Sequence, residues 1–162
     1  MVKTGLQISA QIENLANFKA TGDDFRWYLK LKCSSCGEET SEFVYCSLCE
    51  TSPLTGGRGQ ASLVIKCKLC KRENSIDIVS DSLKAYSEED MGKFKTIVVF
   101  DCRGVQPVNF SPRIGWEATG EESGTVFSDI DLSEEEWYDY DDKAGESVSI
   151  TELKHQFVPV KN

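Results

Sequence analysis

The sequence contains very little histidine. His155 is the only one among 162 residues, and it lies in a strand-like stretch near the end of the chain. Nucleophilic catalysis by a Cys–His or Ser–His pair needs an imidazole as the base. A single histidine therefore argues against that class of enzyme, and we interpret His155 as a partly buried structural residue.

Long apolar runs are missing as well. No stretch approaches the roughly 18 apolar residues that a membrane helix needs, and residues 1–7 lack the apolar segment of a secretory signal. We expect an intracellular protein of the cytoplasm, or alternatively of the nucleus, with no membrane partner. A reducing compartment disfavours disulfides, so the seven cysteines favour metal binding or catalysis.

Helical periodicity is nearly absent. The best helix starts are residues 87–90 and 133–136, where Ser133 and Glu136 fit a capping box. Neither pattern continues far, so we expect one or two helical turns at each. This scarcity of helix also argues against a thioredoxin-like oxidoreductase, whose Cys-x-x-Cys opens a helix after a strand.

Strand patterns fill most of the chain. The apolar residues from Leu6 to Ile12 alternate with polar ones, as in a half-buried strand. Five further segments are rich in β-branched, aromatic and leucine residues: 25–33, 61–67, 75–79, 94–102 and 148–157. We expect an all-β fold of two packed antiparallel sheet lobes, a ribbon-like Cys₄ site and only short helical turns.

The domain organisation follows from length and charge. The composition, 40% hydrophobic and 28% charged, is typical of a folded globular chain. We expect one zinc-binding β domain over residues 1–162, with an alternative division into sub-lobes of about 1–85, holding the zinc site, and about 86–162, which is acidic. Residues 117–146 carry twelve carboxylates and one lysine, whereas basic residues outnumber acidic ones eight to four over 26–72.

The net charge of −9 bears on partners. It disfavours nucleic acid, and the basic cluster of residues 66–72 contains no aromatic side chain on which bases could stack. The acidic aromatic run 134–142 lacks the spacing of a calcium-binding EF-hand. We interpret it as a solvated segment whose Trp137 packs on the core, with docking on a basic partner as the alternative. A protein partner is therefore the expected kind, and a monomer the expected state.

Three Cys-x-x-Cys pairs offer metal ligands. Two such pairs facing each other form the tetrahedral Cys₄ site of structural zinc. By spacing, the pair Cys46/Cys49 matches Cys67/Cys70, because the 17 residues between them suit a Cys₄ loop.

Local chemistry instead favours Cys33/Cys36 with Cys67/Cys70. Gly37 follows the first pair and can take the positive φ that such a turn needs. Basic residues surround the second pair and would offset the charge of a thiolate site. For Cys46 and Cys49 the alternatives are two small buried thiols, a second metal site or a redox-active dithiol.

Gly56-Gly57-Arg58-Gly59 could contact a phosphate through backbone N–H groups, but no Gly-Lys-Ser/Thr and no helix follow it. We therefore predict a hairpin loop at these residues, between the Cys49 region and the strand from Ala61.

The ensemble of motifs resembles the eukaryotic CXXC-motif-containing zinc-binding protein family. Segments that fit it span almost the whole chain: 24–30, 56–62, 66–76, 94–98, 102–104, 122–125, 127–130, Trp137, 140–141, 146–148 and 155–157. The resemblance implies a monomeric all-β protein with one zinc ion, bound by Cys33, Cys36, Cys67 and Cys70, and no established activity. Cys46 and Cys49 depart from the family pattern.

The sequence thus predicts a non-enzymatic protein with one structural Zn²⁺, serving as a scaffold or protein-interaction module. The alternative is a metal or redox homeostasis protein that uses Cys46 and Cys49 as a second thiol site.

Overall fold

The computed structural model describes residues 2–55 and 59–161. These residues form two 3₁₀-helices, Ser80–Ser82 and Glu88–Asp90, and fourteen β-strands: β1 Val2–Glu13, β2 Leu15–Ala20, β3 Trp27–Cys33, β4 Val44–Cys46, β5 Ser52–Pro53, β6 Gln60–Ala61, β7 Leu63–Lys66, β8 Glu73–Ile78, β9 Lys95–Arg103, β10 Val105–Ser111, β11 Trp116–Gly120, β12 Val126–Ile130, β13 Trp137–Asp141 and β14 Glu146–Val160.

The strands assemble into antiparallel sheets. A six-stranded sheet has the order β13-β14-β1-β9-β8-β7, and two three-stranded sheets have the orders β10-β3-β4 and β12-β11-β2. Strands β5 and β6 form a two-stranded ribbon. The prediction of an all-β protein with antiparallel sheets and short helical turns is confirmed.

The core lies where the large sheet meets the two smaller ones. Trp27 of β3 and Trp116 of β11 are both buried, with ring centroids 6.1 Å apart. Phe100 of β9 packs edge-on against Trp27 at 6.1 Å, and Phe18 of β2 packs against Trp116 at 5.2 Å. Alternation explains the positions of the two tryptophans, because buried and partly exposed residues alternate along β3 and β11. One cluster of buried side chains therefore receives residues from all three sheets.

The predicted strands occur with shifted bounds. The segment 61–67 is interrupted at Ser62, whose backbone N–H donates to Asp77 Oδ1 at 3.0 Å and whose hydroxyl accepts from the N–H of Ile78 at 3.3 Å. This side-chain bonding replaces ladder hydrogen bonds and separates β6 from β7. Seven strands have no counterpart in the prediction: β2, β4, β5, β10, β11, β12 and β13.

One of the two predicted helical starts is wrong. The Ser87–Asp90 start is a 3₁₀-helix with both capping-box hydrogen bonds present. Residues 133–136 form a turn instead, because the Ser133 hydroxyl donates to Asp131 Oδ1 at 2.6 Å rather than capping a helix. Glu135 there has φ = 62°, which a right-handed helix does not allow.

The acidic aromatic run contributes strand β13, most of whose residues are exposed, as expected of a solvated segment. Trp137 packs on the core, with its ring 5.6 Å from that of Phe127, as predicted. Strand β13 and strand β7, which leads into Cys67, form opposite edges of the large sheet. The acidic strand therefore does not cover the cysteine region.

The predicted glycine hairpin loop falls on residues 56–58, which lie outside the described residues, although the flanking strands β5 and β6 pair with each other. Within the described ranges, no helix has the length and apolarity needed to cross a membrane.

Candidate metal centre

The first Cys-x-x-Cys turn begins where β3 ends. The backbone N–H of Cys33 donates to the carbonyl of Glu38 at 2.8 Å, and the N–H of Gly37 donates back to the carbonyl of Cys33 at 2.9 Å. These bonds fold residues 33–38 into a tight knuckle. Gly37 has φ = 82°, as predicted from its position after the turn.

The second Cys-x-x-Cys turn has the same hydrogen bonds. Cys67 directly follows β7, and its N–H donates to the carbonyl of Arg72 at 2.9 Å. The N–H of Lys71 donates to the carbonyl of Cys67 at 3.0 Å. This knuckle is the turn between β7 and β8, so it belongs to the large sheet, whereas the first belongs to a three-stranded sheet.

The two knuckles bring four sulfurs together. Cys33 Sγ lies 3.7 Å from Cys70 Sγ, and Cys36 Sγ lies 3.5 Å from Cys67 Sγ. All four Sγ atoms lie within 4.8 Å of one another. The structure thus places Cys33, Cys36, Cys67 and Cys70 in one cluster, the set that turn chemistry and the family resemblance favoured over the spacing argument.

Further contacts hold the knuckles against each other. The Arg72 guanidinium donates from Nη1 to Ser35 Oγ at 2.5 Å, which joins the second knuckle to the first. The backbone N–H of Ser34 donates to the carbonyl of Gly104 at 3.0 Å, between β9 and β10. These bonds fix the relative positions of the sulfurs from outside the cluster.

Backbone donors tune the thiols. Hydrogen bonding to the backbone of Cys36, and further to that of Ser35, lowers the pKa of Cys33 to about 6. The backbone of Cys70 has the corresponding effect on Cys67, whose pKa is also lowered. Each first cysteine thus occupies a site that favours thiolate, the form that binds metal.

Cys36 differs from these two. Although a backbone hydrogen bond at Glu38 lowers its pKa, burial and the neighbouring sulfurs outweigh that bond and raise the pKa to about 12. The negative charge of the neighbouring sulfurs disfavours a further thiolate at Cys36.

The third Cys-x-x-Cys pair does not form a second cluster. Cys46 pairs with Trp27 in the sheet ladder and is 1% exposed, whereas Cys49 is exposed. Burial is the main reason why the pKa of the Cys46 thiol is raised. Burial also raises the pKa of the Cys102 thiol, to about 12. Of the three alternatives for this pair, the buried thiol holds for Cys46 alone, and Cys49 is exposed.

A cavity of about 400 Å³ adjoins the cluster. Cys33 and Cys67 contribute to its wall, together with apolar side chains that include Leu31 and Ile65, while Lys66 and Glu38 supply charge of both signs. The cavity separates β3 and the loop that follows the first knuckle from the edge strand β7.

Sequence reasoning missed two residues that support the first knuckle. The Asn74 side chain is 3% exposed and lies beside Cys33, where it lowers the pKa of that thiol further. Gly104 has φ = 75°, and a Cβ at this position would clash with Asn74 Oδ1. The available signals were a polar residue in the strand after the second knuckle and the Cys102-Arg103-Gly104 sequence.

His155 lies away from this chemistry. Its ring packs edge-on against Phe110 at 5.7 Å and against Phe157 at 6.1 Å, and burial lowers its pKa. The interpretation of His155 as a partly buried residue is confirmed.

Fold and site together define a small all-β protein with a four-cysteine centre built from two knuckles on different sheets. The model of the family described as CXXC motif containing zinc binding protein, eukaryotic, matches residues 5–158. The chain belongs to this family.

Relatives match over nearly their whole length. The mouse CXXC motif containing zinc binding protein is 58% identical over 158 residues, which cover 98% of this chain and 99% of the relative. The human protein of that name is 56% identical with the same coverage. The fruit fly protein UPF0587 CG4646 is 44% identical over 164 residues, covering 99% of both chains.

Two solved structures are similar. The crystal structure of C1orf123 superposes with a TM-score of 0.94 at 55% identity, covering 98% of this chain and 99% of that one. A hypothetical protein from Plasmodium falciparum superposes with a TM-score of 0.88 and covers 98% and 100% of the two chains. Its 21% identity shows a shared fold alone.

Proposed function

We propose that the protein binds one zinc ion through Cys33, Cys36, Cys67 and Cys70, and that this ion is structural. The observation that carries the proposal is the convergence of four sulfurs within 4.8 Å of one another. A regular tetrahedron with zinc–sulfur bonds of about 2.3 Å has sulfur–sulfur edges of about 3.8 Å. The separations of 3.7 Å and 3.5 Å between the knuckles are close to that edge.

Four protein ligands would fill the coordination sphere. A catalytic zinc keeps a position for water or substrate, whereas a Cys₄ site is closed. The ion would join two turns of different sheets, and would thereby hold the end of β3 next to the turn between β7 and β8. Relatives at 56–58% identity carry zinc binding in their names, which supports the same metal here.

The closed site supports a non-enzymatic role. We propose that the molecule is a monomeric scaffold or protein-interaction module of the cytoplasm or nucleus, in which zinc fixes the shape of the surface that partners contact. Native gel filtration with light scattering tests the monomer, and cell fractionation tests the compartment.

Native mass spectrometry tests the zinc site. We expect the wild-type chain to retain one zinc ion, and Cys67→Ser to lose it and to have a lower unfolding midpoint, because zinc binding contributes free energy of folding. Cys49→Ser is the matched control, since Cys49 is exposed and outside the cluster. It should retain one zinc ion and the wild-type stability.

Two outcomes would contradict the proposal. The first is a metal-free chain with the same unfolding midpoint as the zinc-loaded chain, which would make the ion dispensable for the fold. The second is a number of zinc ions per chain that falls in the Cys49→Ser variant but not in the Cys67→Ser variant.

A second candidate, metal or redox homeostasis through Cys46 and Cys49, has less support. Burial of Cys46 in the ladder beside Trp27 keeps its thiol protonated and away from soft metals. A Cys46→Ala, Cys49→Ser protein tests it. Copper(I) and zinc binding equal to that of the wild type would eliminate this candidate, and a lower capacity would favour it.

A further inference from the structure

The outer face of the β10-β3-β4 sheet carries an unusual combination of side chains. Along β3, residues alternate between buried and partly exposed positions. Trp27, Leu29 and Leu31 face the core, so the residues between them, Tyr28, Lys30 and Lys32, face outward.

Several cations on this face lie against aromatic rings. The Tyr28 and Tyr45 rings are cross-strand neighbours with centroids 5.6 Å apart. The Arg113 guanidinium lies 3.8 Å from the Tyr28 ring centroid, and that of Arg26 lies 4.4 Å from the Tyr45 centroid. The Lys30 ammonium lies 5.1 Å from the Phe43 ring. These are cation–π contacts. We call these residues and Lys32 the cation–aromatic face.

The cations of this face lack carboxylate partners. Among the described residues, ion pairs join Lys19 to Glu117 and Lys95 to Asp90, and none involves a cation of the cation–aromatic face. Two carboxylates are nearby. Glu50 accepts hydrogen bonds from the Tyr45 and Ser47 hydroxyls, and Glu39 lies opposite Lys32 across a β-bridge without forming an ion pair with it. Four unpaired cations on one face stand out in a chain of net charge −9.

We propose that the cation–aromatic face binds an extended acidic segment of a partner protein. A guanidinium held against a ring presents its N–H groups at its edge, where they can bind a carboxylate in a fork. Outward side chains two residues apart on a strand are separated by about 6.8 Å, and an extended peptide repeats its own side chains at the same interval. Lys30 and Lys32 therefore match alternate acidic residues of such a segment. This inference rests on the interaction role proposed above.

The structure favours a peptide over single-stranded nucleic acid. Sequence-tolerant binding of single strands uses open aromatic rings on which bases stack. Here the rings of Tyr28 and Tyr45 are already contacted by guanidinium groups. The twelve carboxylates over residues 117–146 also repel a long polyanion more strongly than they repel a short acidic peptide.

Fluorescence anisotropy with a fluorescein-labelled ten-residue polyglutamate peptide tests the inference on the zinc-loaded protein. The double variant Arg26→Gln, Arg113→Gln should bind at least about tenfold more weakly than the wild type, because each arginine contributes a charge-assisted hydrogen bond. The matched control is Lys84→Gln, Lys154→Gln. It removes the same charge from exposed residues elsewhere, and its affinity should stay within about twofold of the wild type.

Equal weakening of both double variants would overturn the inference, because binding would then follow net charge alone. Tighter binding of a ten-nucleotide oligothymidine than of the peptide would also overturn it. Zinc content and unfolding midpoint are measured for every variant. A wild-type protein that holds no zinc would count against the proposed function, whereas absent peptide binding by a zinc-loaded, folded wild-type protein would count against this inference alone.

Discussion

Gly37 and Lys71 occupy equivalent positions in the two knuckles, and both have a positive φ, of 82° and 65°. Each follows the first cysteine of its knuckle by four residues and donates its N–H to the carbonyl of that cysteine. Only glycine adopts this conformation without the clash of a Cβ atom. The first knuckle is therefore relaxed at this position and the second is strained.

This asymmetry predicts opposite effects of two substitutions. Gly37→Ala should lower the free energy of unfolding by about 1–2 kcal/mol, the cost of a left-handed residue with a Cβ. Lys71→Gly should raise it by less than about 1 kcal/mol, because the greater freedom of glycine in the unfolded chain offsets part of the relief. Urea unfolding of the zinc-loaded proteins measures both, and Lys71→Gln isolates the loss of charge. A destabilised Lys71→Gly would argue against strain at this position.

Zinc binding should release fewer than four protons at neutral pH. The pKa of Cys33 is about 6, so this thiol has largely lost its proton before metal arrives, whereas Cys36, with a pKa of about 12, must give its proton up. Calorimetric titration of the metal-free protein in buffers of different ionisation enthalpy counts the protons. Release of all four would show that the backbone donors do not stabilise a thiolate.

Asp141 should make the free energy of unfolding fall more steeply as the pH is lowered into the acid range. Its buried carboxylate accepts hydrogen bonds from Ser123 Oγ at 2.5 Å, Thr125 Oγ1 at 3.1 Å and the N–H groups of Lys143 and Ala144 at 3.1 and 3.2 Å. These bonds, that of Ser123 first, lower its pKa. A carboxylate with a lowered pKa in the fold stabilises above its unfolded pKa of about 4, and that stability is lost as pH falls through the folded pKa.

Asp141→Asn should accordingly lower the melting temperature by several degrees at pH 7. The difference in melting temperature between this variant and the wild type should become smaller as the pH falls below about 4. The comparison between the two proteins cancels the loss of zinc that acid causes in both. Asp139→Asn, at an exposed position of the same strand, is the control and should change little. A deficit that stays constant with pH would show that Asp141 acts through shape and not through charge.

Alkylation should distinguish the three cysteines outside the cluster. In the folded, zinc-loaded protein, iodoacetamide should modify Cys49 readily, because this residue is exposed. Cys46 and Cys102 are 1% and 2% exposed, so they should react only on unfolding. Peptide mass spectrometry over a time course reads this directly. Rapid modification of Cys46 would show that β4 separates from β3 in the folded protein, contrary to the pairing of these two strands.

The four-cysteine cluster was predicted because local turn chemistry and the family resemblance outweighed the spacing argument. Each knuckle is encoded by two cysteines and the residue types just after them, and antiparallel strands then bring the two turns together. Strand β12 was missed because most of its residues, such as Val126 and Asp129, are exposed, so no alternation of apolar and polar residues marks it. The capping box at Ser133 was wrong because Asp131, two residues earlier, competes for the same hydroxyl.

The cation–aromatic face could not be predicted because its members come from separate segments. Tyr28 and Tyr45 meet only through the β3–β4 ladder, and Arg113 reaches the Tyr28 ring from beyond β10. The basic residues near the second knuckle, which the sequence does show as a cluster, have no aromatic residue among them. Only the sheet register brings rings and guanidinium groups together.

The pairing of β1 with β14 sets an order for folding. Lys3 lies opposite Val160 and Glu13 opposite Ser149, so the middle of the large sheet joins segments more than 130 residues apart. Contacts of such long sequence separation slow folding, because a long loop must close before they form. On the ribosome, both knuckles and β9 emerge well before β14, so the two turns can meet while β1 still lacks one of its two neighbouring strands. Until β14 is made, the edge of β1 that pairs with it stays open, and an open strand edge is a site of aggregation.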